Sequence, residues 1–278
     1  MKKEIIINLT FCFALSLVTA WGQKSVPENH LQNLPNNWSL QINHPISYLV
    51  TTTHYDYSMM GPFLNKTQIT GQYTRTSEDG TVRWNQVEIA QAHDLEASFD
   101  TGLPQPVMEG FSYVPSEKMM EAANYSDFPQ DATGHLFRNL VWDMMGFEFF
   151  AWALPDSYPL NLEYRPVEAN YKIELAGEGT FENKDIRLTW IGTTQKNNQP
   201  CVIIKFSVMN NPLSMHSEHM KLKGRSHYWG NIYVALNSKQ IEYAELYEDV
   251  IMNLKMTGQD ESQRLNTVRT IFAEKITK

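Results

Sequence analysis

In the C-terminal third of the chain, apolar side chains recur at every second position, and this two-residue period constrains the fold most. Ile186, Leu188 and Trp190 alternate with Arg187 and Thr189. Val202, Ile204, Phe206 and Val208 alternate with Ile203, Lys205 and Ser207. Successive side chains of an extended strand point to opposite faces, so such a run buries one face of a sheet. Gln195 to Gln199, rich in amides, turns the chain between the two runs. Tyr228, Ile232, Val234 and Leu236 form a further strand, which Asn237-Ser238-Lys239 turns back. Ile241 to Met256 fits two patterns. Ile241, Ala244, Tyr247, Ile251 and Leu254 have helical spacing, whereas Ala244, Leu246, Val250, Met252, Leu254 and Met256 alternate. A short turn after a strand most simply makes a hairpin, which favours a strand. Leu265 to Thr277 reads as the last strand. Met209 to Lys223, with Asn211-Pro212, reads as a polar loop.

A second β-rich block precedes this one. Tyr48 to Tyr55 is dense in β-formers. Lys66 to Arg75 and Thr81 to Ala92 flank Asp79-Gly80, a hairpin signal. Asp94 to Gly110 reads as a loop, Phe111 to Val114 as a short strand, and Ser116 to Asn124 as a short helix. Between the blocks, Asp131 to Ala153 is the one long helical segment. Leu136, Leu140, Met144, Phe147 and Ala151 line one side. Phe137, Val141, Met145, Trp142, Phe149 and Trp152 cover most of the rest, and Arg138, Asp143 and Glu148 carry the charges. A helix apolar nearly all round is buried on most sides. Pro155 ends it.

These elements predict a mainly β protein: a curved antiparallel sheet or open barrel with a buried apolar helix in its concave side. Residues 45–278 form one β-rich domain, or two packed parts divided near 155–166, behind an extended lead-in at 23–44.

The first 22 residues have the three parts of a secretory signal peptide: Lys2 and Lys3, an apolar run from Ile5 to Ala20, and small residues at Ala20 and Gly22. The run is shorter than a spanning helix requires. An exported protein, periplasmic or extracellular and without a stable membrane anchor, is expected. Losing two lysines and one glutamate with the leader takes the net charge from −8 to −9. That charge argues against nucleic acid as a partner. Cys12 leaves with the leader, so Cys201 has no partner for an internal disulfide. It sits in an apolar strand pattern and reads as a small core residue.

From Thr180 to Met256 the texture is distinctive. Glu182-Asn183-Lys184-Asp185-Ile186-Arg187-Leu188-Thr189-Trp190-Ile191-Gly192 is followed by Pro200-Cys201-Val202-Ile203-Ile204. Then come Lys223-Gly224-Arg225-Ser226-His227-Tyr228-Trp229-Gly230-Asn231-Ile232 and Ile241-Glu242-Tyr243-Ala244-Glu245-Leu246-Tyr247. This stretch resembles uncharacterised secreted bacterial β-rich proteins, and is loosely similar to the curved half-barrel of periplasmic lipoprotein-carrier proteins. The resemblance implies a fold and apolar ligand binding. It supplies no site residues.

No residue qualifies as catalytic, and no cofactor is expected. The chain has no Gly-x-Ser-x-Gly elbow, dinucleotide loop or phosphate loop. Glu242, Glu245, Glu248 and Asp249 fall on alternating faces of a strand and read as a solvated rim. His216, His219 and His227 are the candidate metal ligands, because neutral imidazoles hold zinc, and Glu218 beside them is the candidate base of a metal-activated water. Trp142, Phe149 and Trp152 on the helix are the candidate contacts for an apolar ligand. Three functions follow. The first is an exported, non-enzymatic binding protein for an apolar small molecule or an envelope protein. The second is a secreted metal-dependent hydrolase using the histidine loop. The third is a structural or interaction protein of the cell envelope.

Overall fold

The computed structural model describes residues 31–277 apart from 60, 77–78, 168–171, 178, 217–219 and 259–260. The expected leader at 1–22 lies outside the described residues. The first block contains β1 (Ile46–Ser58), β2 (Phe63–Arg75), β3 (Val82–Ala92), β4 (Leu103–Pro104) and β5 (Ser112–Tyr113). The helix α1 (Ala132–Trp152) follows. The second block contains β6 (Glu163–Tyr164), β7 (Lys172–Glu174), β8 (Gly179–Glu182), β9 (Arg187–Lys196), β10 (Gln199–His216), β11 (Met220–Ala235), β12 (Ile241–Met256) and β13 (Gln263–Lys275).

The thirteen strands among the described residues join one antiparallel sheet, with β4-β3-β2-β1-β13-β12-β11-β10-β8-β7 as its main order. β5 pairs with β3, β6 pairs with β9, and β9 lies beside β10. The sheet is not closed into a barrel. β1 joins the two blocks, pairing with β2 on one side and with β13 on the other, as in Thr51 opposite Phe272.

The alternation read in the sequence corresponds to one buried face. Val202, Ile204, Phe206 and Val208 of β10 point inward, as do Ile232 and Val234 of β11 and Ile271 and Ala273 of β13. The ambiguous segment from Ile241 to Met256 is a strand over its whole length. The expected polar loop at Met209 to Lys223 is corrected: β10 continues to His216 and β11 begins at Met220. A bulge hides this continuation. The register shifts between Val208 and Asn211, with Asn210 in the left-handed region (φ 60°). A bulge places an unpaired residue in the ladder and breaks the two-residue period that marks a strand. The short helix expected at Ser116 to Asn124 is instead two 3-10 turns, Glu117–Met120 and Ala122–Tyr125.

The sequence places α1 almost to the residue. Asp131 caps it, its side chain accepting from the Thr133 N–H at 2.8 Å, and it stops two residues short of Pro155. Phe137, Leu140, Val141, Met144, Phe147 and Ala151 are fully buried in the core. Phe150 stacks on Phe206 of β10, with centroids 4.9 Å apart, and Glu148 bonds to Tyr73 and Arg75 of β2. β2 and β10 are five strand spacings apart, about 24 Å along a flat sheet. One helix, about 10–12 Å across with its side chains, touches both only because the sheet curves around it. Gly230 leaves room beneath the aromatic contact. A Cβ there would fall 1.9 Å from the Glu245 carbonyl oxygen and 2.8 Å from the Phe206 ring. On its other side α1 meets the segment from Phe111 to Phe128, where Trp142 donates to the Tyr125 hydroxyl at 3.1 Å.

Candidate functional site

A row of polar side chains crosses the buried face of the sheet beneath α1. Thr67 of β2, His54 of β1, Arg269 of β13 and Glu248 of β12 are successive cross-strand partners, and all four are buried. Side chains directly opposite on one face of a sheet stand close enough to interact. Arg269 joins the row to the helix, donating through one terminal nitrogen to Glu248 and through the other to Asp143 of α1. Glu248 also accepts from the Ser226 hydroxyl of β11. A second ionic contact lies further along. Glu148 of α1 accepts from the Tyr73 hydroxyl at 2.8 Å and from Arg75 Nε at 2.7 Å, and Arg75 lies over the Trp152 ring, 5.2 Å from its centroid.

The row is not fully satisfied. Among the described residues, His54 Nε2 and Arg269 Nε of the row, and Thr52 Oγ1 two residues before His54 on β1, are buried without a hydrogen-bond partner. Buried polar atoms nearly always have one, so each exception calls for a physical explanation. Burial, aided by Arg269, holds the His54 imidazole well below its ordinary value of 6.5. Burial raises the Asp143 carboxyl from 3.8 to about 6, against the opposing pull of Arg269.

These two groups act oppositely on stability. The lowered His54 contributes stability present above pH 6.5, which is lost as pH falls and the unfolded chain takes up a proton. The raised Asp143 contributes stability present below pH 3.8, which is lost as pH rises through about 6. Between these limits the two slopes, each up to about 1.4 kcal/mol per pH unit, offset one another. Asp143→Asn should therefore make the protein lose stability steadily as pH falls from 6.5 to 4.5, and His54→Gln should reverse that slope. Denaturant unfolding at four pH values checks both; parallel profiles for the two variants would refute the assignment.

The helix residues expected to contact a ligand lie on or beside the side of α1 turned from the sheet. Trp142 is held by Tyr125. Trp152 donates to the Lys239 carbonyl at 3.0 Å, and Phe149 is 42 % exposed. Two shallow depressions, of about 410 and 390 Å³, lie on the other face of the sheet around Gln86 and Glu88, and neither touches α1. Of the three histidines, His219 lies outside the described residues. His216 is opposite Lys221 at the start of β11, and His227 is opposite Asp249. Six residues of strand, about 20 Å, separate those two positions. Among the described residues no three His, Cys, Asp or Glu side chains are grouped to hold a metal ion.

The carboxylates read as a solvated rim divide between the faces. Glu248 is in the buried row, and Glu242 is buried and accepts from Lys275 at 2.6 Å, whereas Glu245 faces outward. Cys201 is buried, and burial pushes its thiol up to about 11, so it is unreactive at neutral pH. The polar row escaped sequence reading because its members come from separate strands. The available signal was a charged or polar side chain at an inward position of the alternation: Arg269 two residues before Ile271, and Glu248 between Leu246 and Val250.

No protein-family model and no curated protein matches the chain. Among solved structures it is similar to lipovitellin, in a structure described by its lipid–protein interactions, at 12 % identity and a TM-score of 0.40. That alignment takes in 84 % of this chain and 25 % of the other, so the chain spans about a quarter of that protein's length.

Proposed function

We propose that this chain is an exported binding protein for an amphiphilic, lipid-like molecule, received on the concave side of the sheet in the place that α1 occupies. One observation carries this reading: the polar row beneath α1 and the adjoining Thr52 are buried with His54 Nε2, Arg269 Nε and Thr52 Oγ1 unpartnered among the described residues. An interface shaped only for permanent closure would satisfy such atoms or replace them with apolar groups. A ligand with a hydrogen-bonding head and an apolar body satisfies them. Its head meets His54 and Thr52, and its body replaces the aromatic contacts of α1 with Phe206 and Tyr228. The helix, tied to the sheet by two ionic contacts as well as by its apolar packing, is the element that yields.

The test is a titration with a dansyl-labelled fatty acid. Wild-type protein should bind it saturably near one equivalent. His54→Leu, which removes a head contact and retains the apolar surface, should raise the half-saturation concentration at least tenfold. No saturable binding, or binding unchanged by His54→Leu, would overturn the reading.

A further inference from the structure

The outer face of β11, β12 and β13, away from α1, carries five aromatic side chains: Trp229, Tyr233, Tyr243, Tyr247 and Phe272. Trp229 is opposite Tyr247, and Tyr233 is opposite Tyr243. The rings touch across the strands. Centroids are 6.4 Å apart for Trp229 and Tyr247, 5.5 Å for Tyr233 and Tyr243, and 6.4 Å for Tyr243 and Phe272. Trp229 is 40 % exposed and the others are half-buried. Between the two cross-strand pairs stands a polar pair, Asn231 opposite Glu245. The Asn231 amide donates to Glu245 Oε1 at 2.7 Å, and the Tyr243 hydroxyl donates to Oε2 at 3.5 Å. Lys196 Nζ lies 4.0 Å from the centre of the Tyr243 ring, at one margin.

We infer that this face binds a neutral glycan. Rings set around a carboxylate and an amide suit one ligand chemistry in particular. A sugar presents apolar C–H faces, which lie against aromatic rings, and adjacent hydroxyls, which bond to a carboxylate and an amide together. An acyl chain or an apolar protein surface would cover Glu245 and Asn231 without replacing their water, and burying an unpaired charge is costly. An anionic polymer would meet Glu245 on a chain of net charge −8. Sugar hydroxyls can take the place of that water. The polar surface continues past Phe272 through its partner Thr51 on β1 and Thr70 on β2 to the depression of about 410 Å³ beside Glu88. It therefore has room for more than one sugar unit. This site is on the opposite face from the polar row and stands independently of the proposed lipid-like ligand.

Affinity electrophoresis tests it, with the purified protein run in native gels cast with β-glucan, mannan or dextran and, in parallel, with heparin or alginate. Retardation is expected in at least one neutral gel. Trp229→Ala should weaken it at least tenfold and Glu245→Gln several-fold, with unchanged melting temperatures. Tyr247→Ala, on the neighbouring strand, serves if Trp229→Ala does not fold. Retardation in no gel, only in the anionic gels, or equally in the variants would overturn the inference. So would a wild-type dimer that becomes monomeric in Trp229→Ala, because the face would then belong to a second copy of the chain.

Discussion

Arg269→Met should destabilise the protein by about 3–5 kcal/mol at pH 8, because it leaves two carboxylates buried without their cation. Asp143 and Glu248 both depend on this guanidinium, one from the helix and one from the sheet. Methionine matches much of the volume, so the loss measures charge rather than a cavity. The effect should also depend on pH. Asp143 is already raised to about 6 by burial, and without Arg269 its carboxyl rises further. At pH 5 it would then fold as the neutral acid, and the penalty should be smaller than at pH 8. Urea unfolding of wild type and variant at both pH values checks this. A loss below about 1 kcal/mol at pH 8, the range of an exposed pair, would mean that the contact is solvated and the row is not a buried one.

Phe147→Ala should cost about 3–5 kcal/mol, the range for removing a fully enclosed aromatic ring. Phe147 has no exposed surface and meets Phe206 edge-on, with centroids 6.3 Å apart. Phe149→Ala, two residues on, is the internal control. That residue is 42 % exposed, and loss of its ring should cost under 1 kcal/mol. Thermal melts of the two variants give the comparison. Equal losses would mean that α1 is rotated from the orientation described.

The long strands and α1 were legible because each has a strong local period. The turn at Asn197 and Asn198 could also be read, since both adopt positive φ, which asparagine tolerates. The extent of β10 was not legible, because the bulge at Asn210 and the proline at 212 imitate a loop. Little of the candidate site could be read. Asp143 and Glu148 were visible as charges that a buried helix must pair, but not their partners on β13 and β2. Those partners stand more than 70 residues away in sequence, and register alone brings them together. The aromatic outer face was hidden for a related reason: Trp229, Tyr247 and Phe272 each look unremarkable within their own strands.

The pairing of β1 with β13 has a consequence for how the chain matures. Thr51 and Phe272, which end up side by side, are among the first and last parts of the sheet to be synthesised. Until β13 arrives, the hairpin of β1 and β2 has a free edge, and so does β12. Open edges of this kind template pairing with other chains. Contacts so distant along the sequence also form slowly, because the intervening loop must be closed first. The last strand therefore closes two edges at once: a chain interrupted before Gln263 is expected to leave the outer edges of β1 and β12 unpaired.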